Sequence, residues 1–171
     1  MNRHARPTPP PSRFMADAML GRLARWLRML GYDTAYEKLI ADDRIIDRTL
    51  REARWLLTRD RYLAQRKVLR GRHTLLASDN LDHQLMQLHD ELSLQLNLDT
   101  SRPFRCVECN VVLQPLSCEA AAAIVLPFVA QHYREFRQCK HCSHVYWPGT
   151  HWEAVTTRLA LLRSGEASAD R

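Results

Sequence analysis

Residues 54–66 of the chain read RWLLTRDRYLAQR, and this stretch decides the fold class. The run from Trp55 to Thr58 is short and mostly apolar, which is typical of a buried strand. It ends abruptly at Asp60, and the residues that follow have the pattern of a helix. A strand that turns at once into a helix is half of a βαβ unit. The stretch therefore predicts a parallel sheet, and it raises the question of why a single carboxylate stands there between two arginines.

Three other strand-like runs in the N-terminal part of the chain also lead into helical ones. These strands are RFMA (13–16), YDTAY (32–36) and HTLLAS (73–78). The predicted helices are AMLGRLARWLRML (18–30), DDRIIDRTLREA (42–53), RYLAQRKVLRG (61–71) and LDHQLMQLHDELSLQL (81–96). This alternation predicts an α/β fold in three layers, with a mostly parallel sheet between helices on both faces.

Acidic residues stand at the carboxyl ends of these strands. Asp17, Asp60 and Asp79 each follow a strand-like run, and at the same edge a helix begins at Asp42. Ligands of an open parallel sheet bind at that edge, so we expect the four carboxylates to converge as catalytic residues. A hard divalent cation such as Mg²⁺ or Mn²⁺ relieves their mutual repulsion and prefers oxygen ligands.

Such a metal site suits phosphodiester hydrolysis, because the cation lowers the pKa of a bound water and stabilises the leaving oxygen. Nearby arginines suit the phosphates of a nucleic acid. The predicted phosphate-binding set is Arg22, Arg25, Arg28, Arg59 and Arg61. Each residue also has a simpler interpretation, since an aspartate between strand and helix is most often an N-cap and a lone arginine is often only solvated. The repetition at three strand ends favours the site.

Two C-x-x-C pairs in the C-terminal part are the strongest local signal. The four cysteines are Cys106, Cys109, Cys139 and Cys142. This pairing predicts a structural zinc site, in which each pair aims two sulfurs at one tetrahedral centre. The segment SCEAAAAIVLPFVAQHY (117–133) must then loop out between the pairs. A redox dithiol or disulfides are the alternative, and His141 and His144 are competing ligands. Cys118 is predicted to be a small buried apolar residue.

Length and composition limit the class of protein. The chain has 171 residues, a formal net charge of +6 and a pI near 9.4, which favours polyanionic partners. No apolar run approaches the roughly 20 residues that span a bilayer, and an odd number of cysteines suits a reducing compartment. We therefore expect a soluble, cytoplasmic protein. The predicted organisation is a disordered Pro-rich arm (1–12), an α/β domain (13–102), a zinc module (103–152) and a C-terminal helix and tail (153–171).

Several motifs together resemble one known family, the mut-seven C-terminal RNase domain family. They are FMADAMLGRLARWLRMLGYDT (14–34), LLTRDRYLAQR (56–66), CVECN (106–110) and CKHCSHVYWPGTHW (139–152). The similarity runs from about Phe14 to Leu159. It implies a PIN-like nuclease fold with a C-terminal zinc ribbon, and catalytic roles for Asp17, Asp42, Asp60 and Asp79. Of these, Asp17, Asp42 and Asp60 would hold the divalent metal, with Asp43 as the alternative to Asp42.

The resemblance implies a divalent-metal-dependent ribonuclease that hydrolyses phosphodiester bonds of RNA. The fold suggests that the RNA is single-stranded. Its zinc would be structural, its Mg²⁺ or Mn²⁺ catalytic, and the arginines would contact the RNA backbone. The alternative is a non-catalytic module that docks RNA or the ribosome through its basic surface and zinc ribbon. The motif YWPGTHW (146–152) is open to two interpretations, stacking on a base or packing of the ribbon against the sheet.

Overall fold

The structure is a computed structural model that describes residues 10–98 and 102–164. Residues 1–9 of the predicted arm, 99–101 at the predicted boundary and 165–171 of the predicted tail lie outside the described residues. Strands and helices alternate first. The strands are β1 (Arg13–Ala16), β2 (Asp33–Tyr36), β3 (Trp55–Thr58) and β4 (His73–Leu75). The helices are α1 (Gly21–Met29), α2 (Asp42–Arg51), α3 (Arg61–Ala64) and α4 (Leu81–Leu92).

The four strands form one parallel sheet in the order β2-β1-β3-β4. Alternate strand residues build a core on each face. On one face Phe14 and Leu57 pack among leucines of α1 and α4. On the other face Met15 and Leu56 pack with Ile45 of α2. Because a parallel sheet must bury both faces, the predicted three-layer α/β fold follows from this alternation, and the structure confirms it.

The C-terminal part is a small antiparallel module, followed by a helix that packs against the α/β domain. Its elements are β5 (Gln114–Leu116), α5 (Cys118–Ala122), α6 (Pro127–His132), β6 (Phe136–Gln138), β7 (Val145–Tyr146) and finally α7 (Thr150–Ser164). The three strands pair in the order β5-β6-β7, and α5 and α6 occupy the segment expected to loop out. Val155, Leu159 and Leu162 of α7 join the core beside α4.

Three predicted element boundaries are wrong. The helix predicted over 81–96 ends at Leu92, because Ser93 adopts the left-handed conformation there. The strand predicted over 73–78 ends at Leu75, because the next N–H, that of Leu76, makes the last bond to β3 and the N–H of Ala77 turns to a side chain of α4. The helix predicted over 61–71 ends at Ala64. Leu63 and Leu69 are both buried in one core but six residues apart, which is not a helical spacing, so the chain must break between them.

The prediction for Cys118 also needs correction. This residue is only half-buried, and its thiol donates to the backbone carbonyl of Arg134 at 3.3 Å, since the short helix α5 lies at the surface of the module. Among the helices of residues 10–98 and 102–164, none has the length and apolarity needed to cross a membrane.

Candidate active site and zinc centre

The carboxyl edge of the sheet, meaning the residues that follow β1 to β4, holds two of the predicted catalytic residues beside one threonine. Thr58 is fully buried at the end of β3 and donates its hydroxyl to Oδ2 of Asp17 at 2.7 Å. The same hydroxyl oxygen accepts the backbone N–H of Asp60 at 2.9 Å. One buried threonine therefore links Asp17 and Asp60 across neighbouring strands.

Both aspartates also cap the helical turn that follows them. Oδ1 of Asp60 accepts the backbone N–H groups of Tyr62 at 2.7 Å and Leu63 at 3.2 Å. Oδ1 of Asp17 accepts the N–H of Ala18. The N-cap interpretation is thus correct for both, but it occupies mainly one oxygen of each carboxylate. Oδ2 of Asp60 accepts no hydrogen bond from the described residues, so capping and metal binding are compatible.

Asp42 and Asp43 differ in whether their carboxylates have a partner. Both are exposed in the first turn of α2. Asp43 forms an ion pair with Arg66, with 3.3 Å between the carboxylate and guanidinium atoms. Asp42 has no hydrogen-bond or ion-pair partner for its side chain among the described residues. It is therefore the better candidate of the two, although nothing ties it to the pair that Thr58 links.

The sequence predicted Asp79 directly after a strand, but the structure places it elsewhere. It lies exposed in the loop beyond Leu75, and three residues separate it from the strand. The N-cap of α4 is Asn80, whose Oδ1 accepts the N–H of Asp82 at 2.9 Å. Asp79 therefore neither caps the helix nor contacts the linked pair.

The side chains of the four predicted aspartates do not converge on one point. Within residues 10–98 and 102–164, the cysteines form the only group of three or more Cys, His, Asp or Glu whose ligand atoms lie within 4.8 Å of one another. At the carboxyl edge, Thr58 links the carboxylate of Asp17 to the backbone of Asp60. Two carboxylates fit Mg²⁺ or Mn²⁺, because such ions usually take one or two from the protein and keep waters and substrate phosphates as their other ligands.

Glu37 is a candidate that the sequence analysis missed. The register pairs Ala16 of β1 with Tyr36 of β2, so Glu37 and Asp17 are the next residues of adjacent strands at the carboxyl edge. Glu37 is exposed. The signal was present, because Glu37 follows YDTAY as directly as Asp17 follows RFMA. Thr58 was missed for a different reason, since no pattern of residue types marks a linking hydroxyl.

Most of the predicted phosphate-binding arginines are exposed. They are Arg22, Arg25, Arg59 and Arg61. The side chains of Arg59 and Arg61 flank Asp60 in sequence and have no hydrogen-bond or ion-pair partner among the described residues. Tyr62 follows them and is 85% exposed. The surface around Asp60 is thus cationic, with one aromatic ring open to solvent.

The role predicted for Arg28 needs correction. Only 4% of this residue is exposed. Its Nε donates to the carbonyl of Thr34 at 2.9 Å, and its Nη1 donates to the carbonyls of Val107 at 2.8 Å and Glu108 at 2.7 Å. A buried guanidinium with three carbonyl acceptors does not contact a phosphate. Arg28 instead joins α1 to the loop of the first cysteine pair.

The zinc centre has the geometry of a tetrahedral thiolate site. Sγ of Cys106 and Sγ of Cys142 are 3.6 Å apart. Two sulfurs in a tetrahedral site with Zn–S bonds of about 2.3 Å are separated by about 3.8 Å. The backbone N–H of Cys109 donates to Cys106 at 3.3 Å, and that of His141 donates to Cys139 at 3.4 Å. No histidine belongs to the group, so the four cysteines support a structural zinc.

The local electrostatics also suit a cation at this centre. Burial raises the pKa of the Cys106 thiol, but hydrogen bonds from the hydroxyl of Tyr146 at 3.2 Å and from backbone N–H groups lower that pKa to about 7. Burial and the neighbouring thiols raise the pKa of Cys109 to about 12. Without a metal, one thiolate therefore keeps its neighbour protonated. Zinc removes this opposition because it binds the deprotonated form of every ligand.

Asp33 joins the sheet to the zinc module and is paired with a buried arginine. Arg54 is 6% exposed, and its guanidinium donates to Asp33 at 2.7 Å and to Glu52 at 2.6 Å. Asn110, directly after the first cysteine pair, donates to the same oxygen of Asp33 at 2.7 Å. The side-chain oxygen of Asn110 accepts the N–H of Thr34 at 2.9 Å. Asp33 therefore contacts both parts of the molecule.

We expect this network to make stability fall in acid. Burial alone would raise the pKa of Asp33 and of Glu52, but hydrogen bonds from Arg54 hold both pKa values below their usual range. Unfolded carboxyls protonate as the pH falls through about 4. The stabilisation is therefore complete above that pH and is lost as the pH falls through the lower folded-state values. Urea midpoints between about pH 6 and pH 3 measure it.

An Arg54→Met variant is the matching test. It is expected to lower the free energy of unfolding by about 3 kcal/mol, because two partly buried carboxylates lose their partner. Arg51→Met is the control, since Arg51 forms an exposed pair with Asp47 at 3.5 Å and its loss costs less than about 1 kcal/mol. An Arg54→Met protein whose acid sensitivity matched that of the wild type would contradict the assignment.

Comparison with known proteins agrees with this architecture. A family model described as the Mut7-C RNAse domain matches residues 12–159, which include the whole sheet, the zinc module and the start of α7. No curated protein and no solved structure gives a significant match. The resemblance seen in the sequence motifs is confirmed. Since the match covers most of its 171 residues, the chain belongs to the Mut7-C RNase domain family.

Proposed function

We propose that the chain is a divalent-metal-dependent ribonuclease that hydrolyses phosphodiester bonds of single-stranded RNA. The observation that carries the proposal is the pair of Asp17 and Asp60, linked by the buried hydroxyl of Thr58 at the carboxyl edge. Membership of an RNase domain family and a net charge of +6 support it. The free thiols of the zinc site suit the reducing cytoplasm, where we expect the enzyme to act.

Asp17 and Asp60 are the residues that we assign to a catalytic Mg²⁺ or Mn²⁺. The bound ion supplies a water of lowered pKa and neutralises charge on the phosphate that is cut. Oδ2 of Asp60 is free of hydrogen bonds from the described residues, and Oδ2 of Asp17 keeps a second lone pair besides the one that Thr58 uses. Glu37 and Asp42 are exposed and are assigned to holding waters around the site, and Asp79 is assigned no contact with the ion.

The exposed arginines beside Asp60 are assigned to the RNA backbone. Arg59 and Arg61 have no side-chain partner among the described residues, so they are available to bind the phosphates on either side of the cut. Such contacts position the strand without selecting its sequence. The expected products carry a 5′ phosphate and a 3′ hydroxyl, as the resemblance to PIN-like nucleases implies.

Thr58→Val is expected to lower the turnover number about 10- to 100-fold, the usual cost of losing a group that orients a metal ligand. The change removes the hydroxyl that holds Asp17 and the backbone of Asp60, while the side chain keeps its size. Thr58→Ser restores the hydroxyl and is expected to recover most of the activity. Rates at saturating RNA, measured over a Mn²⁺ titration, test this. A higher Mn²⁺ concentration at half the maximal rate distinguishes a positioning role from a general loss of stability. Equal rates for Thr58→Val and wild type would contradict the linking role.

Cleavage of end-labelled single-stranded RNA by the purified protein tests the proposed function. Cleavage products are expected with Mn²⁺ and not when divalent ions are omitted. Cleavage should return when Mn²⁺ is restored. Omitting the ion is preferable to adding a chelator, because a chelator also attacks the zinc centre. Zinc content is measured in parallel so that both states are known to be folded. A protein that binds RNA but does not cut it with any divalent ion would overturn the enzyme proposal and favour the non-catalytic module.

A further inference from the structure

A groove between α1 and the zinc module is separate from both sites described so far. Its volume is about 620 Å³, within the range of pockets that hold small ligands. One wall is α1, and the other consists of the chain around the first cysteine pair, β6, β7 and the start of α7. None of the four cysteines and none of the aspartates at the carboxyl edge lines it. We call it the α1 groove.

Five aromatic side chains line the α1 groove. They are Trp26, Phe104, Tyr146, Trp147 and Trp152. The rings of Phe104 and Trp152 pack together with their centroids 5.3 Å apart. The indole of Trp147 is 36% exposed and lies over Gly149, where an added Cβ would be 2.9 Å from the indole nitrogen. The motif at 146–152 therefore presents a supported, half-open aromatic face.

The α1 groove is also cationic. Its charged lining residues are Arg22, Arg25, Arg105, Arg137, Glu108 and Glu135. Arg22 has no side-chain partner among the described residues, and Arg25 is paired with Glu108 at 3.1 Å. The guanidinium of Arg137 lies 4.6 Å above the ring centroid of Phe104. Guanidinium groups thus outnumber carboxylates and stand directly beside aromatic faces, which is a combination that complements a flexible polyanion with flat bases.

The α1 groove begins near the carboxyl edge. The chain passes from Asp17 through one 3₁₀ turn into α1, and Arg22 is the second residue of that helix. The nine residues of α1 make it about 13 Å long, with Met29 at its far end. A strand of nucleic acid bound at Asp17 therefore reaches the groove by following one short helix.

We propose that the α1 groove binds unpaired bases of the RNA strand whose phosphodiester is cut at the carboxyl edge. The inference rests on RNA being the substrate, as in the proposed function. Bases stack on aromatic faces whatever their identity, and arginines follow the backbone, as in proteins that bind single strands. Paired bases are stacked within a duplex and cannot enter. The zinc centre thus acts in substrate binding by holding one wall of the groove.

Binding of a fluorescent single-stranded oligoribonucleotide tests the inference. An Asp60→Asn background without added Mg²⁺ or Mn²⁺ keeps the RNA intact. Trp147→Ala is expected to raise the Kd about tenfold through the loss of one stacked base, whereas Trp147→Phe keeps an aromatic face and stays within about threefold. Zinc content equal to that of the parent protein shows that each variant retains its fold.

A charge-matched pair tests the cationic part of the α1 groove. Arg22→Ala is expected to weaken binding and to reduce the slope of log Kd against log salt by about 0.7, the value for one phosphate contact on a single strand. Arg51→Ala removes the same charge from an exposed position at the end of α2, the helix on the other face of the sheet, and leaves that slope unchanged.

Tryptophan fluorescence locates the bound bases. Three of the four tryptophans line the α1 groove, and the fourth, Trp55, lies in β3 with its indole N–H bonded to Thr74 at 3.0 Å. RNA is therefore expected to quench most of the emission. Unchanged Kd in Trp147→Ala, or equal binding of duplex and single strand, would overturn the inference. Weakened binding by Trp147→Ala in a protein that cuts no RNA would support the groove while the nuclease proposal fails.

Discussion

Cys106→Ser protein is expected to lose its zinc and, with it, the fold of the zinc module. Metal binding contributes about 10 kcal/mol or more to the folding of small zinc modules, and apart from Cys106, Leu113 and Cys139 this module has few fully buried residues around the centre. No other side chain of the described residues completes the four-ligand group. The loss should appear as zero tightly bound zinc and a lower melting temperature.

The chain offers a matched control for this change. Cys118 is the fifth cysteine and lies outside the zinc group, with its thiol on the carbonyl of Arg134. Cys118→Ser is therefore expected to bind one zinc per chain and to melt like the wild type. Metal analysis and circular dichroism of the two variants, prepared in parallel, give the comparison. If Cys106→Ser bound no zinc and still melted at the temperature of Cys118→Ser, the module would be held by packing alone.

Zinc loss should also destabilise the α/β domain, because hydrogen bonds between the two parts would be lost. Arg28 would lose the carbonyls of Val107 and Glu108, and Asp33 would lose the amide of Asn110. Backbone amides of α1 and β2 are therefore expected to exchange faster with solvent than those of β3 and β4. The parallel sheet itself keeps both of its cores.

Asp60→Asn is expected to reduce RNA cleavage at least about 100-fold, because losing a ligand costs more than losing a group that only orients one. The substitution isolates the charge. Asparagine is as good an N-cap as aspartate, and its side-chain oxygen can still accept the N–H groups of Tyr62 and Leu63. The free energy of unfolding should therefore change by less than about 0.5 kcal/mol.

Two further variants complete the comparison. Asp60→Ala removes the cap as well as the ligand and is expected to lose about 1 kcal/mol of stability in addition to activity. Asp47→Asn removes a carboxylate from an exposed pair on α2 and should leave cleavage unchanged. Initial rates over a range of Mn²⁺ concentrations are the measurement. If Asp60→Asn cut RNA at the wild-type rate, Asp60 would be only a helix cap and the catalytic assignment would fail.

The local patterns of residues were enough to predict the elements and their class. Strand-like runs that alternate with helical leucines led to a parallel sheet because each run was bounded by its own turn and charged residue. The cysteine pairs led to the metal centre because a C-x-x-C spacing brings two sulfurs together whatever surrounds them. The positions of Asp17 and Asp60 at one edge followed from the same rule, since parallel strands all end on one side.

Contacts between distant residues lay beyond those patterns. Arg28 looked like its neighbours Arg22 and Arg25, yet it is buried, because only the position of the zinc loop decides which arginine meets carbonyls. Asp79 looked like Asp17, but the register of β4 ends that strand before it. Thr58 links the carboxylate of Asp17 to the backbone of Asp60 only because β1 and β3 are neighbours. The helix α7 forms part of one wall of the α1 groove only because it returns to α4. Local composition specifies what each segment forms, whereas burial and pairing depend on which segments the folded chain brings side by side.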